Sequence, residues 1–282
     1  MSKKNMLLGN ASGRVGDLVF YRAGGEQRTR TRVTPANPRS YNQQVQRSKI
    51  AEVVNAYRAL SALLKETFPN RPTKQSAFNA FSAANMPIVP TLTKEDAKLG
   101  IFNPAPFFIA KGGLSNPFGD MTVGASEFTV ECGVINGTAP TTVGALLTTL
   151  HELHPCCIVN GSKIVFAVVN TGTAGMGAAG SIDMKVIKLD NASTVTLSSL
   201  GVTATKDSGT NQLKLSVPVD AITSIAGVVL LTPQNDGGWD CPVSQMVMGS
   251  GADTKYNMYF SGIGVDAAAE SYNAAAPSCL LG

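Results

Sequence analysis

The chain has little of what catalytic and zinc-binding proteins depend on. Its 282 residues include two histidines and five cysteines, an odd number with no CxxC spacing. No Ser or Cys stands in a nucleophile-elbow motif, so no catalytic triad is indicated. Structural zinc needs two close pairs of ligands, and the cysteine spacing does not supply them. The sequence therefore predicts no enzyme, no catalytic residues, no metal site and no cofactor.

Long apolar runs are also absent. Near the N-terminus only Met6, Leu7 and Leu8 follow one another, which is too short for the core of a signal peptide. No stretch approaches the ~18 apolar residues of a membrane span. We expect a protein that is made in the cytoplasm without export and that has no membrane partner.

The string HELHPCC at residues 151–157 comes nearest to a metal-binding cluster. His151 and His154 are three residues apart, whereas the helix of a zinc protease needs two histidines four apart so that both face one side. The proline after the second histidine also ends any helix there. Cys156 and Cys157 are adjacent and do not easily pair with each other, so we interpret these thiols as reduced and structural.

Charged residues are scarce, at 15% of the chain, while there are 28 glycines and 15 prolines. Soluble monomers usually carry more charge than this. Low charge with many small residues is typical of a β-rich protein that hides part of its surface against neighbours. We therefore expect a homo-oligomer, with an ordinary globular protein rich in small residues as the alternative.

The positive charge that is present lies mostly near the N-terminus. Residues 1–75 contain 14 Lys or Arg against four Asp or Glu, a net charge of +10. Residues 76–282 contain nine against fifteen, a net charge of −6. Such asymmetry indicates docking on an anionic surface, either nucleic acid or an acidic protein partner.

Residues 1–36 are predicted to form an extended basic arm that contains a hairpin. Residues 17–22 form its first strand, residues 26–33 its second, and a glycine-rich turn joins them. The second strand carries three arginines two residues apart: Arg28, Arg30 and Arg32. A period of two places all three on one face of the strand. With no acid between them they repel one another, which favours an external anionic partner over a merely solvated face.

Residues 37–90 are predicted to be a helical segment. Asn37 before a proline is a good N-cap, and Ser40 with Gln43 three residues later is a competing capping box. From Gln43 to Thr67 apolar residues recur at helical spacing. The stripe that we expect to be buried consists of Val45, Ile50, Val53, Val54, Tyr57, Leu60, Leu63 and Leu64.

A second, shorter helix is expected at residues 74–85, with Phe78 and Phe81 on its buried face.

Residues 101–282 change in character and predict a β-rich body. Short apolar runs alternate with turn residues, which is typical of an antiparallel sandwich or barrel. The expected strands are 107–110, 128–134, 158–169, 182–189, 213–217, 226–231, 245–248 and 258–262. Residues 141–153 are expected to be a single helix, residues 172–180 a flexible loop tip, and residues 267–282 a tail that docks on a neighbour. The predicted fold class is thus α+β, with the arm and the helix outside the core of the body.

The N-terminal region also resembles a known family. The run GNASGRVG at residues 9–16, the pair Tyr21-Arg22 and NPRS at residues 37–40, followed by Gln43 and Arg47, carry the likeness. The pattern resembles uncharacterised proteins of Bacteroidota genomes and of the tailed phages that infect them, with the typical form GxxGxVG…YxR…NPRTxxQxxqR. Serine here replaces the usual threonine of NPRT and keeps the hydroxyl. The resemblance implies a phage context. From that context we infer synthesis in the host cytoplasm and a structural role in the virion.

Together these features predict a non-enzymatic structural protein of a virion, a capsid, connector or tail component, that docks on other copies of itself and on other virion proteins. The alternative is a nucleic-acid-binding protein whose arm grips packaged genome. The residues expected to bind partners are Arg14, Arg22, Arg28, Arg30, Arg32, Asn37, Arg39, Gln43 and Arg47.

Overall fold

The structure, a computed structural model, describes residues 12–23, 26–33, 39–72, 74–169, 182–219 and 224–273. The chain divides into two compact units, residues 1–40 (the N-terminal unit) and residues 41–282 (the main unit). Four predicted features lie wholly or partly outside the described residues: the glycine-rich turn at 23–25, the cap at Asn37, the loop at 172–180 and the end of the tail, 274–282.

The N-terminal unit contains a three-stranded antiparallel sheet, which we call the arm sheet. Its strands are β1 (Gly13–Val15), β2 (Leu18–Ala23) and β3 (Glu26–Thr31), in the order β1-β2-β3. The predicted hairpin of β2 and β3 is confirmed, and β1 adds a strand that the sequence pattern did not indicate.

The main unit combines helices and antiparallel sheets. Its helices are α1 (Tyr41–Leu64), α2 (Ala77–Asn85), α3 (Lys94–Lys98), α4 (Val143–Leu153), α5 (Ser250–Phe260) and α6 (Gly264–Asn273). Its strands are β4 (Phe108–Ala110), β5 (Met121–Val123), β6 (Glu127–Val134), β7 (Lys163–Val169), β8 (Ile182–Lys188), β9 (Thr203–Lys206), β10 (Gln212–Pro218), β11 (Ile225–Pro233), β12 (Trp239–Asp240), β13 (Ser244–Gln245) and β14 (Val247–Met248).

Two sheets dominate this unit. One has the order β5-β6-β10-β9, and the other has the order β12-β11-β7-β8 with β14 also paired to β11. All pairings between these strands are antiparallel. The α+β class is confirmed, and within the described ranges neither sheet closes into a barrel. In that same part of the chain, no helix has the length and apolar character needed to cross a bilayer.

One face of the β7–β11 sheet and the β6–β10 sheet contribute to the same buried cluster, the inter-sheet core. Phe166 of β7 and Phe128 of β6 meet in it, edge to face, with ring centroids 6.4 Å apart. Helix α4 adds Leu146 and Leu150. This helix matches the one predicted at 141–153, and Thr142 caps it by accepting a hydrogen bond from the Ala145 N–H.

The other face of the β7–β11 sheet packs on helices and forms a second cluster, the helix-side core. Side chains of β7 alternate between the two clusters: Val165 and Ala167 face the helices, while Ile164 and Phe166 face the other sheet. Helix α1 contributes Leu60 and other apolar residues of its second half. The expectation that the helix lies outside the core of the body is therefore wrong, because its apolar side chains help to cover a sheet that is buried on both faces.

The predicted buried stripe of α1 is correct only in the second half of the helix. Val53, Leu60, Leu63 and Leu64 are buried, as is Phe81 of α2. Ile50, by contrast, is 52% exposed. In the first half the buried face is polar, because its side chains form hydrogen bonds to buried backbone.

The end of the chain also departs from expectation. Residues 258–262 were predicted as a strand, but Met258 and Phe260 lie in α5. Residues 267–273 belong to α6, where Ala268 and Ala269 are buried and the helix packs on α1. This part of the predicted tail therefore docks on its own chain.

Candidate docking surface

Four arginines of the N-terminal unit lie on one side of the arm sheet. This basic face consists of Arg14, Arg28, Arg30 and Arg32. Residues directly opposite each other in antiparallel strands share a face. Val19 lies opposite both Arg14 and Arg30, and Tyr21 lies opposite Arg28. Arg32 continues the alternation just after β3, so the predicted one-sided arrangement is present and β1 enlarges it.

The guanidinium groups of the basic face make few contacts within the N-terminal unit. Arg14 Nε donates to Gly16 O at 3.0 Å. Arg30 lies over the Tyr21 ring, 5.7 Å from its centroid. Arg28 and Glu26 form an ion pair at 3.7 Å, and their side chains are 57% and 68% exposed. Such a solvated pair is worth about 0–1 kcal/mol. The charges thus remain at the surface, where a partner can reach them.

The arm sheet has no core of its own. Among its described side chains Phe20 alone is buried. Val15 is 68% exposed and Leu18 is 47% exposed. By the strand register these two lie on the side opposite the basic face. The sheet therefore presents charge on one side and apolar surface on the other.

Two motif glycines of this region adopt backbone conformations that other residues rarely take. Gly13 has φ +119° and Gly16 has φ +58°. Gly16 lies in the two-residue connection between β1 and β2, where a left-handed residue lets the chain reverse. The glycine spacing of the N-terminal pattern is thus used to form the strand that carries Arg14.

The other residues expected to bind partners are distributed over both units. The backbone places Arg22 in β2, opposite Gln27. Arg39 is exposed and has φ +50°. Gln43 is exposed in the first turn of α1, and Arg47 is exposed one turn later. Arg39, Gln43 and Arg47 are thus at the surface, whereas the neighbouring Gln44 is fully buried.

Gln44 belongs to a buried polar stripe on α1 that the apolar pattern did not reveal. The polar stripe consists of Gln44, Ser48, Glu52 and Asn55. Ser48 Oγ donates to Leu92 O at 2.7 Å and accepts from the Leu92 N–H at 2.6 Å. Asn55 Nδ2 donates to the carbonyls of Ala97 and Ile101, at 3.1 and 2.8 Å. The stripe therefore supplies hydrogen-bond partners to backbone groups before, within and after α3. The four residues of the polar stripe recur every three or four positions, and this helical spacing is the sequence signal from which the stripe could have been predicted.

Glu52 is the charged member of the polar stripe and is fully buried. Its Oε1 accepts from the Asn103 N–H at 2.8 Å, and its Oε2 has no hydrogen-bond partner among the described residues. Burial raises the pKa of Glu52 well above its ordinary value of 4.5, although the Asn103 hydrogen bond and Lys255 act in the opposite direction. Burial also lowers the pKa of Lys255. The cluster thus favours a neutral, protonated Glu52.

The two histidines of the HELHPCC string lie against backbone carbonyls. His151 Nδ1 lies 2.6 Å from Ile158 O, and His154 Nε2 lies 3.1 Å from Cys132 O. Each imidazole is thus used to hold the turn after α4. Across the ranges that the structure covers, no group of three or more His, Cys, Asp or Glu is arranged to hold a metal ion.

An open cavity of about 640 Å³ lies beside the end of α1 and the β11–β12 turn. Lys65, Arg71 and Asp236 are among its lining residues, as is Trp239. The ammonium of Lys163 lies over the Trp239 ring, 4.1 Å from its centroid. Since the chain itself covers one face of this ring, we interpret Trp239 as a residue at the edge of the helix-side core.

No family model, curated protein or solved structure matches the chain.

Proposed function

We propose that the chain is a non-enzymatic structural protein of a phage particle, a capsid, connector or tail component, that docks on neighbouring subunits through its N-terminal unit. The observation that carries this proposal is the arm sheet, which has arginines on one face, exposed apolar residues on the other and, among its described side chains, a single buried one. A thin sheet whose two opposite sides differ in chemistry suits insertion between two partners.

The energetics of the arm sheet support a partner. Its strands comprise 15 residues, and among their described side chains Phe20 alone is buried. Little apolar burial therefore offsets the conformational entropy that is lost when these strands are ordered. Burial of Val15, Leu18 and the arginine stems against another subunit supplies apolar contact that the sheet lacks.

The main unit serves, in this proposal, as the rigid part of the subunit. The shared inter-sheet core supports a β-sandwich, closed on one side by helices. Its net negative charge, in the residues after 75, gives neighbouring copies a surface that attracts the basic face. We place the assembled protein in the virion, after synthesis in the host cytoplasm.

A second function is supported by Tyr21. Its ring is 38% exposed and lies among the arginines of the basic face. Aromatic rings interleaved with basic side chains are what proteins use to stack bases and track a phosphate backbone. The alternative is therefore that the arm sheet grips packaged nucleic acid.

The test is a triple variant, Arg28→Gln, Arg30→Gln and Arg32→Gln, with a matched control, Arg58→Gln, Lys111→Gln and Lys188→Gln. All six side chains are exposed, so both variants lose three positive charges at the surface. Light scattering and negative-stain microscopy measure assembly. We expect rings, tubes or shells from the wild type and the control, and smaller species from the arm variant.

Binding to a DNA oligonucleotide, titrated with salt, separates the two functions. Affinity that falls by roughly one log unit per log unit of salt for each phosphate contact supports the nucleic-acid alternative. Assembly without DNA affinity supports subunit docking. A wild-type chain that stays monomeric and binds no DNA would overturn both.

A further inference from the structure

The turn between α4 and β7 brings two thiols together. Cys156 Sγ and Cys157 Sγ are 3.1 Å apart, within sulfur hydrogen-bond distance. Cys156 is exposed at the surface, whereas Cys157 is buried in the inter-sheet core with 2% of its area accessible. The sequence predicted that these adjacent cysteines do not easily pair. In the structure, however, both side chains point toward each other.

The backbone of this turn is held on both sides. The N–H groups of Cys157 and Ile158 both donate to His154 O, at 3.2 and 3.1 Å. Thr232 Oγ1 of β11 donates to Cys157 O at 2.5 Å. The juxtaposition of the two sulfurs therefore belongs to a fixed turn and not to a free loop.

The two thiols differ in their readiness to react. The thiolate is the reactive form of cysteine, and access limits its encounter with an oxidant. Burial raises the pKa of Cys157 to about 11, and the adjacent Cys156 thiol adds to the rise. Cys156 alone is exposed. Cys156 is thus placed to react first with an oxidant, and Cys157 is close enough to resolve the mixed disulfide that results.

We propose that Cys156 and Cys157 form an oxidisable vicinal dithiol, a redox-modification site that takes small disulfides of the glutathione type as its oxidant. The Cys156 thiolate attacks the oxidant, whose S–S bond breaks; one thiolate leaves and a mixed disulfide forms on Cys156. The Cys157 thiol, on losing its proton to water, attacks Cys156 Sγ and expels the second thiol. The dithiol loses two electrons and two protons, and the oxidant becomes two thiols.

The geometry also predicts that this disulfide is easily reduced. Consecutive Cα atoms are about 3.8 Å apart, below the usual range of about 4.4–6.8 Å for disulfide-linked residues. The closed form is therefore strained relative to an ordinary disulfide and returns to the dithiol with a mild reductant.

The other two cysteines among the described residues have no such partner. Cys132 and Cys241 are fully buried, and burial raises the pKa of each to about 12. Cys279 lies outside the described residues, so the experiment uses full-length chain with Cys279→Ser as the common background. The matched variants are Cys156→Ala and Cys157→Ala.

The experiment treats native protein with oxidised glutathione and follows intact mass and free thiols. We expect the background chain to lose two thiols and two hydrogens without retaining glutathione, and to recover both thiols in dithiothreitol. Cys157→Ala should retain one glutathione, because nothing resolves the mixed disulfide. Cys156→Ala should stay unmodified.

Stable glutathione on the background chain, or no reaction at all, would overturn the proposal. If Cys157→Ala fails to fold, binding of phenylarsine oxide to the folded background chain decides instead. This reagent bridges two adjacent thiols, so one molecule bound with loss of both thiols supports the site. No binding, or binding that survives in Cys156→Ala, contradicts it.

Discussion

The two units of the chain solve the problem of burial in opposite ways. In the main unit, the sheet that contains β7 and β11 is covered on both faces, by a second sheet and by helices. In the N-terminal unit, the arm sheet leaves Val15, Leu18 and four arginines at the surface. The difference indicates that the main unit carries the stability of the fold, while the arm sheet carries contacts that are completed elsewhere. Substitutions can test this division by their effects on unfolding.

The largest expected effect follows from emptying the inter-sheet core. Phe166→Ala should lower the free energy of unfolding by about 3–5 kcal/mol, because it removes a fully buried ring and leaves a cavity. Tyr21→Ala, an aromatic deletion in the arm sheet, should cost under about 1 kcal/mol. Urea unfolding followed by circular dichroism measures both. Equal losses would contradict the division between the units.

The buried Glu52 makes the stability of the main unit depend on pH. Because its folded pKa is raised, the folded state binds the proton more tightly than the unfolded state above the ordinary value of 4.5. Stability therefore falls as pH rises from that value toward the folded pKa, with a limiting slope of about 1.4 kcal/mol per pH unit. Glu52→Gln keeps the carbonyl that accepts from Asn103 and removes the titration. Unfolding of both proteins from about pH 5 to about pH 7 should show the wild type losing stability relative to the variant. Parallel profiles would show that Glu52 is ionised in the folded state.

A smaller effect is expected from crowding the helix-side core. A Cβ added at Gly227 of β11 would lie 2.8 Å from Ile109 Cδ1 and 3.1 Å from Met246 Cγ. Gly227→Ala should therefore cost about 1–3 kcal/mol through overpacking. Gly137→Ala is the control, since a Cβ there meets nothing within 4 Å. If neither substitution changes the urea midpoint, the predicted overpacking at Gly227 is contradicted.

The smallest effect on folding is expected from the basic face. Exchange of Arg28, Arg30 and Arg32 for Gln should change stability by less than about 1 kcal/mol, because the arginines are exposed and their ion pair is solvated. Differential scanning calorimetry of the dilute protein measures this. A large drop in Tm would mean that the arginines belong to the structure of the chain and are not reserved for a partner.

Regular periodicity allowed much of the fold to be predicted. The hairpin of the arm sheet, the helix at 143–153 and most strands of the main unit follow from alternation, turn residues and caps. Helices α5 and α6 were missed because their small and polar residues, such as the run Ala267–Ala269, give no strong apolar period. Helix α6 is stabilised by packing on α1, and α5 by packing on α6 and β14. Only the tertiary structure shows these contacts.

The buried face of α1 shows a different limit. Ile50 fits an apolar stripe, yet Ser48 and Glu52 are the buried neighbours. Backbone groups of Leu92, Ala97 and Ile101 bond to Ser48 and Asn55, and these hydrogen bonds outweigh the burial of one more aliphatic side chain. The proximity of Cys156 and Cys157 sulfurs was likewise hidden, because turn geometry and not spacing sets it. For the basic face, the sequence indicated that Arg28, Arg30 and Arg32 lie together but not that β1 adds Arg14. The partner they meet stays a prediction.

The polar stripe also restricts how the helix can be placed. A helix that packs through leucines alone can slide by one turn and still bury apolar surface. Here such a shift would move Ser48 away from both backbone groups of Leu92 and Asn55 away from two carbonyls. Any of these backbone groups that is left buried without a hydrogen-bond partner would cost about 1–3 kcal/mol. The hydrogen bonds of the stripe thus specify a single register of α1, in the way a buried asparagine fixes the alignment of a coiled coil.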